Sequence, residues 1–161
     1  MSTTKPTPAP FDAIAELLKQ KHPPPALVQG SKGWYVKLLC RLLAAQNCIA
    51  APAAWLDSSV AVPDPYRPAL AVIVSAFQRD CGLPPDGLCG AATWAWLGCR
   101  DHRDLGEVIM AYARGEAYAG AREIGGNNRG PYVRKYCGAD GVKYEWCAGY
   151  ATWCVNQARA K

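Results

Sequence analysis

Ala76-Phe77-Gln78-Arg79-Asp80-Cys81-Gly82-Leu83-Pro84-Pro85-Asp86-Gly87-Leu88-Cys89-Gly90-Ala91-Ala92-Thr93-Trp94-Ala95-Trp96-Leu97 is the stretch from which the fold is read. Leu70, Val74 and Phe77 recur at helical spacing, so a helix over 68–80 turns an apolar face inward. Gly82 ends it, because a residue without Cβ accepts the left-handed backbone that closes a helix. Asp86-Gly87 makes a tight turn. Gly90 then allows close approach before a short helix over 91–97.

Upstream, Val36, Leu39, Cys40 and Leu43 share one face of a helix over 33–43. Ala50 to Pro65, rich in Ala and Pro with Asp57-Ser58-Ser59, reads as a long connection. Further back, Phe11, Ile14, Leu17 and Leu18 recur at helical spacing with Asp12 in the first turn. That short amphipathic helix stops at Lys21-His22-Pro23-Pro24-Pro25, where three prolines force an extended connector. Thr7-Pro8-Ala9-Pro10 reads as a loose arm.

With 161 residues, half of them hydrophobic, the chain can hold one ordinary domain or two small ones. A net charge of +5 suits an acidic polymer, but the basic residues are spread out and form no nucleic-acid patch. No apolar run is long enough to span a bilayer. Met1 to Pro10 lacks the apolar region of a secretory signal. The expectation is synthesis in the cytoplasm and action at the cell wall or periplasm after release or delivery. Cysteines stand at 40, 48, 81, 89, 99, 137, 147 and 154, with no Cys-x-x-Cys pair to suggest a zinc ribbon or thioredoxin-type centre. Their even number permits disulfides outside the reducing cytoplasm. On a shared helix, however, Cys147 and Cys154 stand about 10 Å apart, too far to be bridged.

Val36, Leu39 and Leu43, followed by Ala76-Phe77-Gln78-Arg79, Gly82-Leu83, Asp86-Gly87, Gly90, Thr93 and Leu97, resemble the peptidoglycan-binding type 1 domain, a small three-helix module. The resemblance implies peptidoglycan as partner, with Asp86 and Thr93 at the binding surface. Two features depart from the family pattern: Cys40 replaces a glutamine, and the connection after the first helix lacks an Asp-Gly turn. Both bear on the shape of the groove.

Gly98-Cys99-Arg100-Asp101-His102-Arg103 is short, charged and unpatterned, which places a domain boundary there. Asp104 with Glu107 offers a capping box. Leu105, Val108, Ile109 and Tyr112 continue as a helical stripe that weakens at Gly115. Near the C-terminus, Glu145-Trp146-Cys147-Ala148-Gly149-Tyr150-Ala151-Thr152-Trp153-Cys154 reads as the first turns of a helix. A thiol at that position feels the positive end of the helix dipole, which favours the attacking thiolate. The spacing of Cys147, Tyr150, Ala151 and Cys154 equally serves core packing.

Arg122-Glu123-Ile124, Gly125-Gly126-Asn127-Asn128-Arg129-Gly130-Pro131, Val133, Tyr136 and the Trp146-Cys147 helix together resemble the start of a CHAP domain. That family comprises cysteine amidases and endopeptidases related to papain-like and NlpC/P60 peptidases, as found in endolysins. The resemblance implies Cys147 as nucleophile, Trp146, Asn128 and Glu123 near the substrate, and no cofactor. Glu123 and Asn128 also suit capping and turn formation. A thiol nucleophile of this kind calls for a histidine on a strand downstream of it. The histidines here, His22 and His102, both precede Cys147, and His102 is expected in a solvated linker.

The expected fold is mainly α: a three-helix peptidoglycan-binding bundle, then a helical segment resembling the N-terminal half of an α+β CHAP domain without its β-sheet. The expected division is an arm and short helix over 1–29, the binding domain over 30–99 and the partial CHAP-like unit over 104–161. The leading functional expectation is peptidoglycan binding with cysteine-type hydrolysis, inactive in this chain alone. A downstream segment or second chain would have to supply sheet and histidine, unless the C-terminal helices simply pack on the binding module. The alternatives are a non-catalytic wall-binding or adaptor protein and a disulfide-rich structural protein.

Overall fold

Residues 11–141 and 145–161 are described by the computed structural model, so the arm expected over Thr7–Pro10 lies outside them. Their helices are α1 (Ala13–Leu18), α2 (Trp34–Ala45), α3 (Pro68–Asp80), α4 (Ala91–Leu97), α5 (Leu105–Tyr118), α6 (Pro131–Cys137) and α7 (Trp146–Arg159). No strand occurs among the described residues, and the one extended pairing is an antiparallel bridge between Leu27 and Cys89. The mainly helical expectation holds.

Helix α2 is the central rod. Beyond the predicted face of Val36, Leu39, Cys40 and Leu43, it also buries Leu38, Leu42 and Ala44. An apolar surface this broad must be covered from several sides. Helix α1 packs on it, as does a 3-10 turn over Ala53–Leu56 that interrupts the predicted connection and buries Trp55. Arg41 holds that connection in place. Its Nη1 donates to the carbonyls of Trp55 (2.7 Å) and Asp57 (2.8 Å), and its Nη2 to those of Ser58 and Val60. One rigid guanidinium thereby satisfies carbonyls that no helix or sheet would pair.

Helix α3 starts at Pro68, where a missing N–H costs nothing. It closes in a Schellman motif: Gly82, at φ +70°, donates to the Arg79 carbonyl and Leu83 donates to that of Gln78. Helix α4 buries Thr93 through Leu97, and Trp94 Nε1 donates to the Pro25 carbonyl at 2.9 Å, tying down the proline connector.

The segment after α4 is packed as well. Cys99 is fully buried, and Gln46 Nε2 donates to the carbonyls of Leu97 (2.8 Å) and Cys99 (2.7 Å). Asp104 caps α5 by accepting from the Glu107 N–H at 2.8 Å. Glu107 does not return the bond to Asp104 but accepts from the Arg100 N–H at 3.2 Å, so only half of the expected capping box forms. Rather than weakening at Gly115, α5 runs on to Tyr118. Gly115 faces α4, where a Cβ would stand 3.6 Å from that of Ala95, so two small residues let the helices approach closely. Packing there offsets the roughly 1 kcal/mol helical penalty of glycine. Helix α7 lies against α5 and α6, and Ala158 near its end joins the core that begins at Ala13. The C-terminal helices thus pack directly on the upstream bundle.

Arg41→Ala should lower the unfolding free energy by about 2 kcal/mol, because several carbonyls lose a charged donor at once. Arg41→Lys should restore little of it, since one ammonium cannot reproduce the planar fork. Urea unfolding followed by circular dichroism gives both values.

Candidate functional site

Two places gather the residues singled out from the sequence. The first is a cleft of about 330 Å³ beside the turn between α3 and α4. Its walls are Val28, Leu83, Leu88 and Ala92, with Gln78, Asp86 and Thr93 as polar members. Gln78, 2% exposed, sits at the centre. Its Nε2 donates toward Asp86 Oδ1 (2.8 Å), the Leu88 carbonyl (2.8 Å) and Thr93 Oγ1 (3.0 Å), while its Oε1 accepts from the Gly87 N–H (2.9 Å).

Asp86 Oδ1 also accepts from the Leu88 N–H at 2.9 Å, which sets the turn and leaves an exposed carboxylate at the cleft rim. Thr93 is 3% exposed and contributes from below, its hydroxyl engaged with Gln78. Gly87, at φ +69°, lies where a Cβ would come within 3.0 Å of the Ala71 carbonyl and of Ser75 Oγ. Tyr66, buried, donates its hydroxyl to the Gly87 carbonyl at 2.7 Å. The turn is therefore clamped from both sides. The sequence reading missed Gln78 as its organiser. The signal was present: Gln78 lies four residues after Val74, on the buried face of α3, where a polar side chain needs partners.

The second place is the start of α7. Asn128, buried and in the left-handed region at φ +52°, donates its backbone N–H to Glu123 Oε1 at 2.6 Å. Its side-chain Oδ1 accepts from the Trp146 N–H at 3.1 Å, satisfying one of the unpaired donors at the helix start. Gly130 closes the loop at φ +114°, where a Cβ would press on the Ile124 backbone at 2.9 Å. Its N–H donates to Asp140, which also pairs with Arg134. Glu123, Asn128, Trp146 and Cys147 are thus brought together, 123 and 128 through the capping and turn formation that their residue types suit. The Trp146 indole stacks on Tyr136 at 6.4 Å and tilts against Tyr150 at 5.9 Å. Cys147 is exposed in the first turn.

No imidazole reaches this thiol from the far end of the helix. His102 shares a recess with Ala158 and Lys161, and about 16 Å of helix separates Cys147 from Ala158 at 1.5 Å per residue. Nor is His102 a solvated linker residue. It packs edge-on to Trp96 (5.4 Å) and near Phe77 (6.2 Å), with Nδ1 at 3.9 Å from Cys81 Sγ. Burial and the nearby Lys161 ammonium hold its pKa below the ordinary 6.5. Its apolar neighbours come from α3 and α4, which the charged sequence around it conceals.

Residues 55–97 match the family described as putative peptidoglycan binding domain. The match covers the end of the 3-10 turn, α3, the clamped turn and α4, and so contains most of the first cleft. It supports cell-wall binding with peptidoglycan as partner. No curated protein and no solved structure matches the chain. Among the described residues, no helix is long and apolar enough to cross a membrane.

All eight cysteines are free thiols in this structure. Burial pushes the Cys40 and Cys81 thiols up to about 12 and that of Cys99 up to about 11. Iodoacetamide on the folded protein should therefore label Cys147 first, with Cys40, Cys81, Cys89 and Cys99 modified only after unfolding, as peptide mass mapping would show. A separate expectation concerns His102. Because its pKa is depressed in the folded state, the unfolded chain takes up its proton more readily. Stability should be complete above the ordinary value and decline as pH falls below about 6.5. Thermal melts across that window should show the decline, and His102→Phe should flatten it.

Proposed function

We propose that this chain binds peptidoglycan through the cleft between Val28, Leu83, Leu88 and Asp86. The observation that carries the reading is the Gln78-clamped cleft inside the segment matched to the putative peptidoglycan binding domain. Methyl-bearing peptide side chains suit its apolar walls, and a cationic or amide N–H group suits the Asp86 carboxylate at its rim. The binding module would span 30–99, and the protein would act at the cell wall. As a non-catalytic wall binder or adaptor it needs no further residue.

A second reading adds cysteine-type amidase or endopeptidase chemistry, in the manner of CHAP domains and endolysins, with 104–161 as the nucleophile half. What favours it is the exposed Cys147 at the positive end of a 14-residue helix, next to Trp146 and the Asn128–Glu123 cap. In that reaction the thiolate forms a bond to an amide carbonyl carbon and the C–N bond breaks. The leaving amine takes a proton, and water then cleaves the acyl-enzyme. The proton acceptor would come from a downstream segment or second chain, since His102 lies at the other end of α7.

Pull-down with purified sacculi tests the binding reading. The chain should sediment with them, and Ala26→Trp, which fills the cleft from an exposed position, should release it. Failure of the wild-type chain to sediment would refute wall binding. In turbidity assays on outer-membrane-stripped cells, wild type and Cys147→Ala should give equal, negligible lysis. Lysis by wild type alone would establish the catalytic reading for this chain.

A further inference from the structure

A second groove, of about 300 Å³, runs between α4, α5 and α7. It is continuous with the first cleft, for Leu83, Ala91 and Ala92 line both. Ala91 and Ala92, at the start of α4, are too small to raise a wall between them. The chemistry changes across this saddle. Both have aliphatic walls and one carboxylate, but only the second is lined by aromatic rings, those of Trp96, Tyr112 and Trp153.

Tyr112 meets Trp153 edge to face at 6.1 Å, so these two half-buried rings form walls at right angles, and Trp96, 2% exposed, backs them at 5.6 Å from Tyr112. Glu116 stands among them. One of its oxygens accepts from Lys135 Nζ and the other from the Tyr136 hydroxyl, each at 2.6 Å. A carboxylate with one donor per oxygen retains acceptor positions for further hydroxyl or amide hydrogens.

We infer that this groove is a saccharide subsite: it takes a sugar unit of the peptidoglycan glycan strand while the attached stem peptide occupies the first cleft. The inference rests on the wall-binding reading above. A pyranose ring presents C–H bonds that pack on the electron-rich face of aromatic rings and hydroxyls that donate to a carboxylate. A bound peptide would instead need free backbone partners along its length, and the α5 and α7 walls are helices whose carbonyls and N–H groups are already paired, leaving free N–H groups only at the start of α4. In peptidoglycan, sugar and peptide are covalently joined, so a ligand seated in one cleft carries the other moiety toward the neighbouring groove. Linking the two contacts gains affinity without a second loss of translational freedom.

The test compares three soluble probes by calorimetry on the whole chain: free stem peptide, the disaccharide-peptide unit, and an N-acetylglucosamine tetramer. Ala119→Trp fills the second groove from an exposed position and leaves the Ala119 carbonyl free to accept from the Tyr132 hydroxyl. The disaccharide-peptide should bind about tenfold more tightly than the peptide alone. Ala119→Trp should abolish that advantage and leave peptide affinity unchanged. Ala26→Trp should weaken peptide and disaccharide-peptide alike. The tetramer should compete with the disaccharide-peptide on the wild type but not on Ala119→Trp. Should Ala119→Trp lower the melting temperature, Glu116→Gln, which keeps the Tyr136 acceptor, should still reduce the sugar advantage severalfold. Equal affinity for peptide and disaccharide-peptide, unaffected by these variants, would overturn the saccharide subsite while leaving wall binding intact. Absence of binding to all three probes and to sacculi would instead refute the wall-binding reading, and the subsite with it.

Discussion

The carboxamide of Gln78 is the interaction on which the rest of the molecule depends. It is buried, so every polar atom it carries must be paired, and it finds its partners in one turn and one helix. The bond from the Gly87 N–H to Oε1 holds the turn against α3, and those from Nε2 reach Asp86, the Leu88 carbonyl and Thr93 on α4. Two N–H hydrogens facing three acceptors means that one is shared, which makes the site intolerant of displacement. Loss of the side chain would leave a buried N–H and carbonyl unpaired, each costing about 1–3 kcal/mol. The consequence reaches beyond the turn. Where α4 sits decides where Ala91, Ala92 and Ala95 are presented, and these residues define the cleft and the seat of α5.

From α4 outward the order is transmitted by small residues at close contacts. Gly115 opposes Ala92 and Ala95, bringing α5 close, and Gly149 on α7 leaves room for the Cys137 side chain of α6. Helix α7 then has two unlike ends. At its start, Asn128 supplies a cap, the Tyr136 and Tyr150 rings flank Trp146, and Cys147 is exposed. At its finish, Ala158 enters the core and Lys161 Nζ lies 3.5 Å from the centre of the Trp96 ring. A single helix thereby links an accessible thiol to the core around α4.

How far this was legible in the sequence follows from the range of the forces involved. Gly82 and Asp86-Gly87 announce themselves because backbone conformation is a local property, and the turn they predict is the one observed; Gly90 does not make the expected close approach, for its backbone is extended and a Cβ there would meet nothing within 4 Å. The apolar stripe of α3 was equally readable. The burial of Leu38 and Leu42 was not, because a helix covered on several sides has no single face to betray it. Arg41 and Trp55 gave no signal at all: their partnership spans a connection that composition describes only as Ala- and Pro-rich. His102 was misread for a related reason. Its immediate neighbours are charged, and the Phe77 and Trp96 rings that bury it come from other helices. At the second site, it was a family resemblance, not residue type, that placed Cys147, Trp146, Asn128 and Glu123 in one neighbourhood. The bonds joining them are those of a helix cap and a tight loop.

The cysteines sharpen the distinction between binding and catalysis. A neutral thiol is a small apolar group, and a core can accept it at little cost so long as it stays protonated. Cys40, Cys81, Cys89 and Cys99 are in that position, and burial moves their ionisation away from the neutral range. The catalytic reading therefore turns on a cysteine outside the core, and Cys147 is exposed in the first turn of α7. An accessible thiol is only half of a nucleophile, because the proton must be taken up by a positioned base and returned to the leaving group. His102, at the opposite end of α7 and packed among aromatic rings, cannot serve both positions. On the catalytic reading Cys147 would need a base other than His102, whereas the cleft at Gln78 is already assembled.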